Sequence, residues 1–287
     1  MLHLLFSVLC TTLIFIIFKL FDVYKVQTPY AIVVNYVVAF TVGILLYGGE
    51  VNFTQLSGSS WFLGAMGMGV FFILIFNLMA KASQVAGVAV ASVATKMSLV
   101  IPVVIGVILY QEKLSALQIT GILLALAAVY FTSIKEKSLT ISKKSLLLPI
   151  LVFIGSGIID TSMKYFEERH LAKEEVAIFS AMVFVFAALS GFVFIGFKSI
   201  QGRFKMNIKD VLAGIVLGVP NYFSIYFLIK ALQNEGLSSA AIFTINNVAV
   251  VMLCTLLGIL IFKERLSLKN WGGIALAVLS IILVALF

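Results

Sequence analysis

Lys96 and Asp160 are the two charges that lie deep inside long apolar runs of this 287-residue chain. Counted from the starts of those runs at Gln84 and Leu146, they stand about 18 Å and about 21 Å along a helix rising ~1.5 Å per residue. A charge at such depth costs roughly 2.5–3.5 kcal/mol in hydrocarbon, so it is expected to face a partner or a water-filled cavity. Three readings stay open. The two residues form a pair that a substrate or proton can break, or a static ion pair, or Asp160 bonds Lys164 one helical turn further on.

A second polar set lies in the other half of the chain. Asn221, Tyr222 and Tyr226 follow Pro220 within one apolar run, and Asn246 with Asn247 occupies the next. Pro220 removes a backbone donor just where these side chains begin, and Pro102 does the same six residues beyond Lys96. Amides and phenols beside such a site could orient a polar solute without charge. Asparagines also bind helices to one another, and a proline can be a fixed kink as well as a hinge. Asn35 and Asn77 lie nearer the membrane boundary and are weaker candidates. Neither the histidines, His3 and His170, nor the cysteines, Cys10 and Cys254, have metal-ligand or redox spacing, so no metal or cofactor is expected.

These side chains need long helices to carry them. With 62% hydrophobic and 11% charged residues, the chain is too apolar for a core wrapped in a polar surface. A spanning helix needs about 20 apolar residues, and ten runs fit without overlap: 2–21, 30–48, 61–80, 84–110, 116–134, 146–166, 176–197, 211–232, 238–262 and 268–287. Trp61 and Trp271 begin their runs and read as interfacial anchors.

The net charge of +8 is topological and does not mark a nucleic-acid surface. Fourteen Lys and Arg fall in the loops after the odd-numbered runs, against four (Lys113, Arg169, Lys173, Lys230) in the others. The positive-inside rule puts the first set in the cytoplasm and both termini outside.

The second half of the chain repeats the first. Glu112-Lys113-Leu114-Ser115 with Gly121 matches Glu264-Arg265-Leu266-Ser267 with Gly273 at an offset of 152 residues. Ala65 and Gly69 match Gly214 and Gly218 at 149, and small residues four apart let helix backbones approach closely. The polar stretch around Lys135 to Ser145 divides two sets of five runs. We expect residues 1–137 and 146–287 to be five-helix repeats joined by a linker at 138–145. Because five is odd, the repeats must cross the membrane in opposite senses, giving an all-α integral membrane fold of ten helices in two inverted repeats.

Two five-helix repeats with these Glu-Lys-Leu-Ser and Glu-Arg-Leu-Ser corners resemble the EamA-type members of the drug/metabolite transporter superfamily, over essentially the whole chain. The resemblance implies movement of small metabolites across a bacterial cytoplasmic membrane. The motif residues are structural corners, so it carries over no substrate. The expected function is a secondary transporter of amino-acid-like or other small polar or amphipathic solutes, working by alternating access. A flippase for lipid-linked or sugar-type substrates is the alternative within the class. A membrane-embedded enzyme is a further one, and it would need a nucleophile, metal set or carboxylate pair at one depth, which the sequence lacks. No phosphate-binding loop appears, so uphill transport would draw on a proton or solute gradient. The expected partners are the solute and membrane lipids, with the chain a monomer or weak homodimer.

Overall fold

The computed structural model describes residues 2–47, 56–102, 104–105, 115–133, 143–171, 175–202, 206–232 and 239–286. These form ten helices: α1 (Leu2–Val23), α2 (Thr28–Tyr47), α3 (Phe62–Val85), α4 (Val88–Met97), α5 (Ala116–Ser133), α6 (Lys143–Arg169), α7 (Val176–Ile200), α8 (Ile208–Leu232), α9 (Ser239–Phe262) and α10 (Leu268–Leu286). Six carry spans long and apolar enough to cross a membrane, and shorter apolar stretches lie at α4, α5, α6 and α10. The chain is a multi-pass membrane protein.

Three expectations need correction. The fourth run is not one continuous helix, because α4 ends at Met97 and helical backbone resumes at Val100. Residues 143–145 of the expected linker are the first turn of α6, since Lys and Ser at a helix start need not be buried; 138–142 lie outside the described residues. Trp61 is not an interfacial anchor: it is 1% exposed and meets Phe179 edge-on at 5.6 Å. Trp271 is exposed, at the start of α10.

The duplicated corner explains itself at its second copy; Glu112 lies outside the described residues. Lys263 takes φ 53°, which turns the chain out of α9, and the Glu264 N–H returns to the Gly258 carbonyl at 3.1 Å. Ser267 then caps α10 reciprocally with Asn270: the Asn270 N–H donates to Ser267 Oγ at 3.2 Å, and the Ser267 N–H to Asn270 Oδ1 at 2.9 Å. Ser115 and Gln118 make the same exchange at the start of α5, at 3.1 and 2.9 Å. The repeated serine is therefore a helix cap, satisfying donors that a helix start leaves unpaired.

The small-residue pairs set the packing. A Cβ on Gly69 would stand 2.6 Å from Phe186 Cβ on α7, and one on Gly214 would stand 2.5 Å from the Ala31 carbonyl on α2. So α3 presses on α7, and α8 presses on α2. Two apolar clusters result. One gathers α1, α2, α3 and α7 around Phe15, Phe18, Tyr36 and Phe184. The other joins α4, α5, α9 and α10 through Val93, Ala128, Val251 and Ala277. In the second, a Cβ on Gly273 would stand 2.8 Å from the Thr132 nitrogen, and Ser280 Oγ donates to the Gly121 carbonyl at 2.7 Å. These contacts hold α10 against α5.

Candidate functional site

The interruption of α4 is built from its sequence. Pro102 has no N–H to give the Ser98 carbonyl four residues back. The Ile101 N–H takes that carbonyl instead at 2.9 Å, tightening the backbone into a single turn. Ser98, freed from the regular ladder, points its hydroxyl at two acceptors, the Thr95 carbonyl at 2.5 Å and Asp160 Oδ2 at 2.7 Å. A hydroxyl has one proton to donate. It therefore satisfies one of the two acceptors at a time, unless Asp160 itself carries a proton and donates to Ser98.

Asp160 is exposed, yet it lies on the inward stripe of α6. Pro149, Phe153 and Ser156 occupy the same helix face at spacings of four, three and four residues, and all are buried. The surface open to Asp160 is therefore inside the bundle and not on the lipid side. Ser156 Oγ, one turn away on that stripe, is buried and makes no hydrogen bond among the described residues. Lys96 likewise shares its face of α4 with buried Ala89, Ser92, Val93 and Val100. Lys96 and Asp160 lie within electrostatic reach of each other. Among the described residues they form no ion pair within 4.0 Å. The side chain of Lys164 lies outside the described residues.

The start of α4 is held from the other half of the chain. Gly87 takes φ 108°, and the Val88 N–H donates to Glu264 Oε1 at 2.8 Å. A carboxylate at a helix N-terminus satisfies an unpaired donor and meets the positive end of the helix dipole. Cys254 on α9 is fully buried, where α9 packs against α4. Asn247 is 7% exposed and seven residues before Cys254, so it shares that face of α9 about 10 Å along the axis.

The second polar set forms a buried bridge. Asn221 Nδ2 donates to Asn35 Oδ1 at 3.0 Å, joining α8 to α2. Ser7 Oγ on α1 reaches the Ser224 carbonyl at 2.9 Å and Asn246 Oδ1 at 3.3 Å. Asn221 and Asn246 are 2% and 1% exposed, the burial expected of side chains that tie helices together. Tyr222 packs on α2 beside Gly43 and stacks on Tyr226 at 6.0 Å, with Lys230 Nζ 6.0 Å from the Tyr226 ring. Pro220 sits within α8, which runs unbroken from Ile208 to Leu232.

Some residues of these networks are inconspicuous in the sequence. Asn35, ranked among the weaker candidates, is the partner of Asn221. Ser7 and Ser224 carry no signal of their own. Ser98 does, since it stands four residues before Pro102, where a carbonyl must lose its donor. Asp210 is 1% exposed in the first turn of α8 and accepts the N–H groups of Gln27 at 2.7 Å and Asn207 at 2.8 Å. It fixes the turn between α1 and α2 against α8.

Comparison with known proteins bears on the whole chain. The sequence profile of the EamA-like transporter family matches residues 143–286. An uncharacterized protein of Haemophilus influenzae is 31% identical over 291 residues, covering 97% of this chain and 96% of the relative. A protein of known crystal structure superposes with a TM-score of 0.63 at 18% identity, covering 99% of this chain and 96% of that one, a likeness of fold.

Proposed function

The chain belongs to the EamA-like transporter family, and from that premise we propose a secondary transporter whose solute site lies at the interruption of α4. As a family member it is a membrane transporter and not an enzyme. The observation that carries the site is the inward face shared by Asp160, accessible, and Ser156, buried without a partner, opposite the broken helix that bears Lys96. Transporter sites are commonly formed where a helix is discontinuous, because free carbonyls and oriented side chains can replace the solvation of a solute or ion. A cation and an anion on facing elements, with no ion pair within 4.0 Å among the described residues, suit a small polar or amphipathic solute carrying both signs, such as an amino-acid-like molecule.

Ser98 supports a proton as the coupling ion. Protonation of Asp160 lets Asp160 donate to Ser98 and Ser98 donate to Thr95, so both acceptors are satisfied; loss of that proton leaves them in competition. Asn221, Tyr222, Tyr226 and Asn246 serve this reading as the frame that holds α8 and α9 on α1 and α2, while Asn247 lies on the face of α9 turned to α4. Pro102 is the hinge. Pro220 has the weaker claim, given a continuous α8.

Alternating access between inverted repeats 1–137 and 146–287 fits the packing. Exchanging each helix with the one five places on converts α2 against α8 into α7 against α3, α1 against α9 into α6 against α4, and α4 against α5 into α9 against α10, all of them packed pairs. The pairs α2 with α7, α4 with α9 and α5 with α10 map onto themselves. The charge bias supports a lysine-rich cytoplasmic side with both termini outside, and the Haemophilus influenzae relative supports a bacterial cytoplasmic membrane.

The test is transport in vesicles by Lys96→Ala, Asp160→Asn and the exchanged pair Lys96→Asp with Asp160→Lys, using a solute found by thermal stabilisation against amino acids, nucleosides, sugars and amphipathic drugs. Each single change is expected to abolish concentrative transport while the protein still folds, and Asp160→Asn to leave at most proton-independent exchange. The exchanged pair is expected to stay inactive, because the solute meets the wrong sign on each wall. Singles that fold and transport like the parent would overturn the assignment, and an active exchanged pair would establish a static ion pair instead.

A further inference from the structure

Outside the bundle core, a groove of about 690 Å³ lies between the start of α2 and the far face of α3, lined by Pro29, Phe71, Leu74, Leu78, Lys81 and Gln84 among others. We propose that it binds an anionic phospholipid, with one acyl chain along α3 and the phosphate at Lys81. This goes beyond the solute site and does not rest on it.

Three observations carry it. The groove is turned away from the core: α3 packs through Ala65, Gly69, Phe72, Phe76 and Met79, whereas Phe71 and Leu74 on the opposite side are 44% and 56% exposed. An exposed apolar lining on a spanning helix meets lipid. Second, Phe71 to Lys81 is ten residues, about 15 Å of helix, close to the hydrocarbon thickness of one leaflet, half of roughly 30 Å. The ammonium thus stands at headgroup level when the chain fills the groove. Third, the polar end is positive. Lys81 is exposed and makes no hydrogen bond or ion pair among the described residues, while Lys19 Nζ is engaged by the Gln84 carbonyl at 2.9 Å. Gln84 Nε2 is occupied by Thr28 Oγ1 at 2.9 Å and the Phe18 carbonyl at 3.2 Å, which fixes the rim. One uncompensated cation above an apolar slot suits a phosphate diester without an ammonium of its own, hence phosphatidylglycerol over phosphatidylcholine.

The full-length protein in nanodiscs of equal phosphatidylglycerol and phosphatidylcholine, analysed by native mass spectrometry, tests this. Bound phosphatidylglycerol is expected to exceed phosphatidylcholine about fivefold, the factor one lysine at an anionic headgroup supplies. Lys81→Glu and the milder Lys81→Gln should remove the preference, and Leu74→Trp, which fills the slot at an exposed position, should lower retention of both lipids. Lys209→Gln, an exposed lysine at the start of α8, should change nothing, and inorganic phosphate should not displace the lipid. Equal retention of the two lipids by the parent would overturn the proposal. So would loss of the preference in Lys209→Gln, undiminished retention in Leu74→Trp, or displacement by phosphate alone.

Discussion

Removing the Glu264 carboxylate should loosen the start of α4, and the size of the effect follows from the geometry. The Val88 N–H donates to Glu264 Oε1 at 2.8 Å, and Gly87 with φ 108° brings the chain so close that a Cβ there would stand 2.9 Å from either carboxylate oxygen. A hydrogen bond to a charged group at a partly buried site contributes about 1.5–3 kcal/mol, so Glu264→Ala is expected to cost about 2 kcal/mol. For a chain of 287 residues that corresponds to a melting temperature lower by roughly 3–4 °C. Glu264→Gln keeps an acceptor but loses the charge at the helix end, and should lose about half as much. Gly87→Ala adds a second, separable effect. In the parent it meets both the left-handed backbone strain and the carboxylate; in Glu264→Ala only the strain remains. The double variant should then be more stable than the sum of the singles by about 1 kcal/mol. Thermal unfolding in detergent, followed by tryptophan fluorescence, reads all five proteins. A Glu264→Ala protein melting within about 1 °C of the parent, or strict additivity with Gly87→Ala, would refute the reasoning. Lys96 is eight residues beyond Val88, about 12 Å along the same helix, so transport by Glu264→Ala is expected to fall even at temperatures where it remains folded.

The glycine at the α3–α7 contact makes a sharper forecast than its neighbour. Gly69→Ala puts a Cβ 2.7 Å from the Ala187 backbone nitrogen and should destabilise by about 1–3 kcal/mol. Gly67→Ala, with nothing within 4 Å, should be neutral or stabilise by up to about 1 kcal/mol; equal melting of the two would contradict the packing described. For the buried amides, a double-mutant cycle of Asn35→Leu and Asn221→Leu should give a coupling of about 0.6 to 1.7 kcal/mol by reversible unfolding. A value indistinguishable from zero would mean that the 3.0 Å bond between them contributes nothing to holding α8 on α2.

The sequence alone determined what depends on local composition and spacing. Ten helices and the family likeness were readable, with most helix ends close to those of the apolar runs and the fourth the exception, because hydrocarbon demands long apolar helices and penalises charge along each of them separately. The serine of the repeated corner was visible as a motif, and its role as a cap became clear only with Asn270 and Gln118 opposite it. Other features belong to contacts between helices remote in the chain. The break in α4 could be suspected from Pro102, but its use depends on Asp160, 62 residues beyond Ser98, arriving beside the freed hydroxyl. Asn35 is peripheral along its own helix, whereas its partner lies 186 residues away on α8. Glu264 read as a corner residue, and only the docking of α9 on α4 makes it the cap of Val88. Hydrophobic spacing decides which residues enter the membrane; which polar groups meet inside it is decided by backbones drawn together at Gly69, Gly214 and Gly218, a property of pairs of helices that no single run encodes.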